Sequence, residues 1–146
     1  MKFLVCILFL GLAAAGIVEV EDCGSSAEIV SLEFDGCDEK PCSVYHGTHA
    51  TGRINLKANS PTNTLTCKLA GVVGVIELPF NGCPSDACAS MTSGDCPVEA
   101  GETLVYELDF EILDLYPTIE VTAKWRLLDD NGDDFMCFLL PIVIKD

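Results

Sequence analysis

The sequence predicts an all-β fold, specifically a β-sandwich crosslinked by disulfides. Period-two alternation of apolar and polar side chains is strong along the chain, whereas helical periodicity is almost absent. An even set of eight cysteines remains once a short apolar N-terminal segment is set aside. About seven to nine short strands in a domain of this length are typical of two packed antiparallel sheets.

The N-terminal segment has the features of a secretory signal peptide. Lys2 precedes an apolar run over residues 3–10, and an Ala-rich site follows. A positive start, a short apolar run and an A-x-A site are typical of a signal that is removed on export. We therefore assign residues 1–15 to a signal peptide and residues 16–146 to one domain. No segment reaches the roughly 18 to 20 apolar residues of a spanning helix, so stable membrane insertion is not expected.

The cysteine count predicts an oxidising compartment. Removal of the signal takes Cys6 away and leaves eight cysteines. An even number in an exported chain predicts four disulfides, although eight cysteines allow roughly a hundred different pairings. The protein is therefore expected to be secreted, or to reside in the lumen of the secretory or lysosomal pathway.

The strongly acidic composition argues against nucleic-acid binding. Asp and Glu total 23 against 8 Lys and Arg, which gives a formal net charge of −15. Such a surface repels phosphate backbones and anionic headgroups. The acidic residues would keep the chain soluble, although 49% of its residues are hydrophobic. Part of that apolar content belongs to the signal, and the rest could line an internal cavity.

The first half of the mature chain predicts short and irregular strands. Its segments are β-like runs at 17–23 and 27–34, a tight cysteine-closed turn at 35–42, a polar β-like stretch at 44–58 and an apolar stretch at 65–80. Gly71 and Gly74 permit bends within the apolar stretch. Residues 81–102 are rich in Cys, Gly and Pro and are expected to form a loop.

Two alternating runs in the second half predict the clearest strands. Each has an apolar face, formed by Leu104, Tyr106, Leu108, Phe110 and Ile112 in the first run and by Ile119, Val121, Ala123, Trp125 and Leu127 in the second. Tyr116-Pro117 predicts the turn between them. Lys124 and Arg126 could lie opposite Glu107, Asp109 and Glu111, so we expect the two runs to pair as antiparallel neighbours.

The acidic segment 129–134 predicts a hairpin turn. It contains Asn131-Gly132, the strongest short hairpin signal, between two strand-like runs. A calcium-binding EF-hand loop is a poor fit, because its glycine position holds Asp134 and its closing carboxylate position holds Leu140. The final run, residues 135–144, is apolar on both faces and is expected to cross the middle of the molecule.

The sequence contains no constellation that indicates catalysis or metal binding. His46 and His49 lie three residues apart in a β-like stretch, which places them on opposite faces of a strand, and we expect both on the surface. No cysteine pair has zinc-site spacing, and neither a nucleophile elbow nor a phosphate loop occurs. We therefore expect a protein that is not an enzyme and needs no metal or cofactor.

Short motifs follow one another in a distinctive order along the mature chain. They are Asp22-Cys23-Gly24, Gly36-Cys37, Pro41-Cys42, Asp86-Ala87-Cys88, Cys96-Pro97, Tyr116-Pro117, Lys124-Trp125-Arg126-Leu127, Asp129-Asp130-Asn131-Gly132, Cys137 and Pro141. In this order they resemble the ML lipid-recognition family over essentially the whole of the mature chain.

The resemblance implies an immunoglobulin-like β-sandwich of two antiparallel sheets with an apolar cavity between them. It also implies three disulfides, Cys23–Cys137, Cys37–Cys42 and Cys88–Cys96. Cys67 and Cys83 are then left over, which departs from the family's usual six cysteines. We pair them as a fourth bridge, although Cys83 could compete with Cys96 for Cys88.

By the same resemblance, a lipid binds between the sheets. The implied mouth of the cavity involves Phe80, Ile112, Tyr116 and Pro117, and its walls involve Leu108, Phe110, Val121 and Trp125. The residue pattern alone favours ordinary core or turn positions for the mouth residues.

The implied function is that of a secreted or luminal carrier, a monomer that holds a sterol or a fatty-acid-like lipid. A membrane receptor or a lipid-accepting protein is a further expected partner, and presentation of lipids to a hydrolase is another possible role. The alternative is an extracellular immune-recognition or interaction module of the same fold without a transport role.

Overall fold

Two β-sheets account for most of the described chain, residues 17–146 of a computed structural model. The assigned signal peptide lies outside the described residues. The five-stranded sheet has the order β1 (Ile17–Val18), β3 (Glu28–Phe34), β5 (His49–Lys57), β9 (Thr103–Glu111) and β8 (Met91–Ser93). The second sheet has the order β2 (Glu21–Asp22), β11 (Asp134–Lys145), β10 (Glu120–Leu128), β6 (Thr66–Val73) and β7 (Ile76–Phe80), with β4 (Cys42–Tyr45) also beside β11.

The core lies between the two sheets and follows from the alternation in the strands. Along β5 and β9 every second residue is buried, and Ile54, Leu56 and Leu104 are wholly inaccessible to solvent. Burial of each such side chain contributes about 1.5 to 3 kcal/mol to folding. These results confirm the predicted all-β sandwich with one apolar face on each sheet.

Strand β11 is an interior strand of the six-stranded sheet. It pairs along nine residues with β10 on one side, and with β2 and β4 on the other. The pairing with β4 is parallel, whereas the other pairings in both sheets are antiparallel. Its buried side chains include Phe135, Phe138 and Leu140. The run 135–144, which we expected to cross the middle of the molecule, is thus a largely buried strand with neighbours on both sides.

The predicted turn between the last two strands is present. The Asp129 N–H donates to the Asp133 carbonyl at 2.9 Å, and the Gly132 N–H donates to the Asp129 carbonyl at 3.0 Å. Gly132 has a φ of 81°, which glycine adopts at little cost because it lacks a Cβ. The Asn131-Gly132 signal thus marked a real hairpin.

The predicted pairing of the two clearest strands is wrong. β9 and β10 belong to different sheets, because residues 112–119 cross from one sheet to the other. Lys124 instead contacts Glu77 at 3.3 Å, and Arg126 contacts Asp134 at 2.7 Å. Alternation shows which side of a strand is buried, but it does not show which sheet the strand joins.

Four smaller expectations are also corrected. Residues 17–23 form two separate two-residue strands, one in each sheet, and the stretch 44–58 is divided between β4 and β5 in the same way. The expected loop 81–102 contains the 3-10 turn Ala87–Ser90 and strand β8. Ile119 precedes β10 and is exposed rather than inward-facing.

Within the described residues, no helix is long and apolar enough to cross a membrane.

All four expected disulfides are present. They are Cys23–Cys137, Cys37–Cys42, Cys67–Cys83 and Cys88–Cys96. The fourth bridge therefore joins the two cysteines that the resemblance left over. It connects the start of β6 to the segment that follows β7, which fixes the chain just beyond Phe80.

We predict that the long bridge stabilises the fold more than the short one. The Cys23–Cys137 bridge spans 114 residues of sequence and the Cys37–Cys42 bridge spans 5. In the chain-entropy model these loops correspond to about 5 and about 2 kcal/mol. Urea denaturation of the two double Cys→Ser variants measures the difference, with non-reducing peptide mapping as the control for pairing. Equal losses of stability would contradict the entropic explanation.

Candidate functional site

A small cavity lies between the two sheets. Its volume is about 40 Å³. The five-stranded sheet supplies Phe34, Ala50, Leu108 and Phe110, and the other sheet and the crossover supply Val44, Leu69, Ala70, Gly71, Phe80, Tyr116, Val121, Ala123, Trp125, Phe138, Leu140, Ile142 and Ile144. None of these side chains carries a charge at neutral pH. The cavity is suited to hydrocarbon, since its lining holds no carboxylate, histidine, lysine, arginine or cysteine.

Six of the eight lipid-site residues expected from the sequence line this cavity. They are Phe80, Leu108, Phe110, Tyr116, Val121 and Trp125. Ile112 is fully buried outside the lining, where its backbone bonds to Gly47 and Thr48. Pro117 is exposed and also lies outside the lining. The structure thus brings together the expected wall residues but only two of the four expected mouth residues.

The sequence reasoning missed most of the wall that β11 provides. Phe138, Leu140, Ile142 and Ile144 all line the cavity. They occupy every second position of one strand, and this spacing was a usable signal. This spacing was hard to recognise in the sequence, because the residues between the four lining residues are also largely apolar and the strand has no polar face.

Three aromatic rings pack against one another in the lining of the cavity, and we call Phe80, Phe110 and Tyr116 the aromatic gate. The Phe80 ring meets the Tyr116 ring edge-on at 5.4 Å and the Phe110 ring at 6.5 Å, and Phe110 stacks on Tyr116 at 5.9 Å. All three side chains are only partly buried. Aromatic pairs at these distances are each worth about 0.5 to 1.5 kcal/mol beyond their buried area. The three rings of the gate are therefore held against one another by weak edge-on and stacked contacts.

Two glycines make room for the gate rings. A Cβ placed on Gly82 would collide with the Phe110 ring, and one on Gly71 would collide with the Phe80 ring. Gly82 directly precedes Cys83, whose bridge to Cys67 fixes this segment against β6. The segment after β7 therefore packs directly on the gate.

The far wall of the cavity contains a stacked aromatic pair. Trp125 lies parallel to Phe138, with ring centroids 6.3 Å apart. Its indole Nε1 is the buried side-chain polar atom without a hydrogen-bond partner among residues 17–146. The nearby Tyr106 hydroxyl donates to the Cys67 sulfur at 3.4 Å, and burial raises the pKa of Tyr106 to about 12. This wall is therefore uncharged over the whole physiological pH range.

His46 holds the crossover segment that carries Tyr116. Its Nε2 lies 2.7 Å from the Tyr116 carbonyl oxygen, and its Nδ1 lies 2.8 Å from a carboxylate oxygen of Asp146. Both partners can only accept hydrogen bonds, and both ring nitrogens can donate only when the ring is protonated, so this arrangement favours the imidazolium form. The bond to Asp146 is the main cause that raises the pKa of His46, followed by the bond to Tyr116.

The expectation that both histidines lie on the surface holds for only one of them. The His46 side chain is 12% exposed, whereas the His49 side chain is 56% exposed and pairs with Asp109 at 2.8 Å. Within the described residues, no group of three His, Cys, Asp or Glu side chains is placed to hold a metal ion.

An exposed apolar hairpin adjoins the aromatic gate. At the β6–β7 turn, Val75 is fully exposed, and Val73, Ile76 and Leu78 are each exposed by about half. Leu115, in the crossover next to Tyr116, is also exposed. Contiguous apolar side chains on a soluble protein commonly mark an interaction surface.

Comparison with known proteins identifies the family. A family model described as ML domain matches residues 17–144. The chain belongs to the ML-domain family. An ML-domain relative from Bos taurus, named NPC intracellular cholesterol transporter 2, is 30% identical over 99% of this chain and 99% of its own length. A homologue a of that transporter in Drosophila melanogaster is 31% identical over 90% of each chain.

A solved structure shows the same ML-domain fold. The Niemann-Pick type C2 protein from Japanese carpenter ant aligns with a TM-score of 0.80. The alignment covers 88% of this chain and all of the ant chain, at 20% sequence identity. The sandwich architecture of this ML domain is thus shared with a protein of low sequence similarity.

We predict that His46 stabilises the ML domain most at acidic pH. Its pKa is raised in the folded state, so its contribution is fully present below the unfolded pKa of about 6.5 and is lost as pH rises through the folded pKa. The difference in unfolding free energy between the wild type and His46→Gln should therefore shrink with rising pH. As a control, Asp146→Asn should lower the pKa of His46, measured by NMR, and leave that of His49 unchanged. A wild-type pKa at or below about 6.5 would contradict the imidazolium assignment.

Proposed function

We propose that this protein is a secreted or luminal carrier that holds one apolar lipid, a sterol or a fatty-acid-like molecule, between its two sheets. The main support is a cavity whose walls, drawn from both sheets, carry no charged group and end at a gate of three partly exposed rings. The names of the bovine and fruit-fly relatives, both cholesterol transporters, point to the same class of ligand.

Burial of apolar ligand surface would drive binding. Each 100 Å² removed from water contributes about 2.5 kcal/mol, and the uncharged lining would add little beyond this term. A charged ligand group inside the cavity would lose its hydration without a partner, which costs several kcal/mol or more. The cavity should therefore select an apolar body and leave any polar end near the aromatic gate.

Lipid binding requires the cavity to expand. Pockets that enclose small ligands typically measure roughly 300 to 1,000 Å³, whereas this cavity measures about 40 Å³. Phe80, at the end of the edge strand β7, and Tyr116, in the crossover between sheets, are only partly buried, so their rings can turn outward while the Cys67–Cys83 bridge and His46 hold the backbone nearby. We infer that a ligand replaces the contacts between the rings with contacts to itself.

A carrier role suits the chemistry of the site better than an enzymatic one. Among the residues that line the cavity there is no carboxylate, histidine, lysine or free cysteine. The four disulfides suit an oxidising compartment, outside the cell or in the lumen of the secretory or lysosomal pathway. The exposed apolar hairpin beside the gate would provide the surface for a receptor or an acceptor of the lipid.

The small cavity volume also favours a second candidate function. An extracellular interaction module would need no internal ligand, and its exposed apolar hairpin would serve as the contact surface. The two functions differ in a single observable, the presence of a lipid that co-purifies with or binds to the protein.

We expect the purified protein to bind one lipid per chain. Organic extraction followed by mass spectrometry should detect a co-purified lipid. A fluorescent sterol and a fluorescent fatty acid, each tested for displacement, should distinguish the two ligand classes. If no lipid is extracted and neither probe binds, the carrier function is wrong and the interaction module is favoured.

We further expect Phe80→Ala and Tyr116→Ala to weaken lipid binding by about tenfold or more while the fold survives. Each change removes aromatic contact area and opens the gate to water. Tyr45→Ala is the control for loss of an aromatic ring, because Tyr45 is more exposed than the gate rings and does not line the cavity. Melting temperature and lipid affinity should be measured on all three variants. If the rings are ordinary core, the variants lose about 3 to 5 kcal/mol of stability and the folded fraction binds lipid normally.

A further inference from the structure

A cluster of cations lies in a groove on the six-stranded sheet. The groove has a volume of about 460 Å³ and contains the side chains of Lys68, Lys124 and Arg126. The whole sequence has only eight Lys and Arg, one of which is Lys2 in the assigned signal peptide. Nearly half of the remaining cations thus share one groove on an otherwise acidic protein.

The strand register brings these cations together on one face. Arg126 of β10 lies directly opposite Lys68 of β6, and Lys124 lies two residues along β10 on the same side. Like charges at directly opposed positions of a sheet are destabilising unless a counter-charge is present. The arrangement therefore requires a compensating anion.

The neighbouring carboxylates compensate the cluster incompletely. Lys124 contacts Glu77 at 3.3 Å, and Arg126 uses its Nε to contact Asp134 at 2.7 Å. Among residues 17–146, Lys68 has no carboxylate within ion-pair distance, and the terminal nitrogens of Arg126 make no side-chain bond. Three cations face two carboxylates, so one positive charge and several N–H donors remain available.

We propose that this groove binds an oxyanion of the phosphate class, either free or as the headgroup of a larger molecule. The guanidinium edge of Arg126 can hold two oxygens in parallel, while Lys68 supplies a point charge from the facing strand. Asn81 and Ser85 add uncharged polar groups to the same lining. The site does not depend on lipid carriage, although Leu69, Ala70 and Phe80 line both the groove and the cavity.

The net negative charge of the protein limits the affinity but does not abolish binding. At physiological ionic strength, charges more than about 8 Å apart are largely screened from each other. The distant carboxylates then contribute little, and the adjacent cations determine the local potential. Affinity should fall again at high salt, because the direct contacts are themselves screened.

The test is an NMR titration of the whole mature protein with inorganic phosphate, and separately with a short-chain phosphatidic acid below its micelle concentration. Backbone amides of Lys68, Ser85 and Arg126 should shift in a saturable manner. Lys68→Gln should weaken binding about tenfold. Lys57→Gln is the matched control, because it removes the same charge from the other sheet and should change the affinity less than twofold.

Arg126→Lys keeps the charge but removes the paired donors, so it should also weaken phosphate binding. Unchanged melting temperatures would show that the variants are folded.

Equal weakening of phosphate and phosphatidic acid binding by Lys68→Gln supports a site that recognises the phosphate group itself. Phosphate binding alone supports a site for the free anion. The proposal is wrong if neither probe shifts these amides, if Lys68→Gln and Lys57→Gln behave alike, or if phosphatidic acid alone shifts residues of the inter-sheet cavity.

Discussion

The structure depends above all on the apolar row of strand β11. Every second residue from Phe138 to Ile144 points between the sheets, where these side chains form both the core and one wall of the cavity. The same strand pairs with three others through its backbone. A substitution in this row would therefore disturb packing, pairing and the proposed ligand site together. In this row, side chains of the core are also side chains of the proposed ligand site, whereas the gate rings are only partly buried.

Local sequence patterns predicted the strands well and their partners poorly. The alternation over residues 103–112 correctly indicated a strand with its apolar face inward. Successive side chains of a strand point to opposite faces, so the buried face can be identified from neighbouring residues alone. The local sequence did not indicate that Arg126 would pair with Asp134 rather than with the acidic residues of β9. The chain passes from one sheet to the other between β9 and β10, and the alternation of apolar and polar residues is the same in both strands. The position of a strand in a sheet depends on its pairing with segments that are distant in sequence, and a single sequence does not show which segments pair.

The candidate site shows the same division. Phe80 and Tyr116 were assigned to the cavity by family resemblance, and the structure places both in its lining. His46 was expected to be an ordinary surface residue. The sequence could not show its hydrogen bonds, because its two partners lie 70 and 100 residues away. The cationic groove was likewise invisible in a sequence with so few cations. It exists only because the register places Lys68 opposite Arg126.

The edge position of strand β7 has a consequence for solubility. An unpaired edge with apolar side chains is a template for strand addition, and the adjoining turn exposes Val75 completely. Pro79 removes one backbone donor from this edge, and Glu77 places a carboxylate on it. Two neighbouring copies would therefore find no continuous ladder of hydrogen bonds and would meet like charges. Addition of a second copy along β7 is therefore disfavoured, although Val75 at the adjoining turn remains fully exposed.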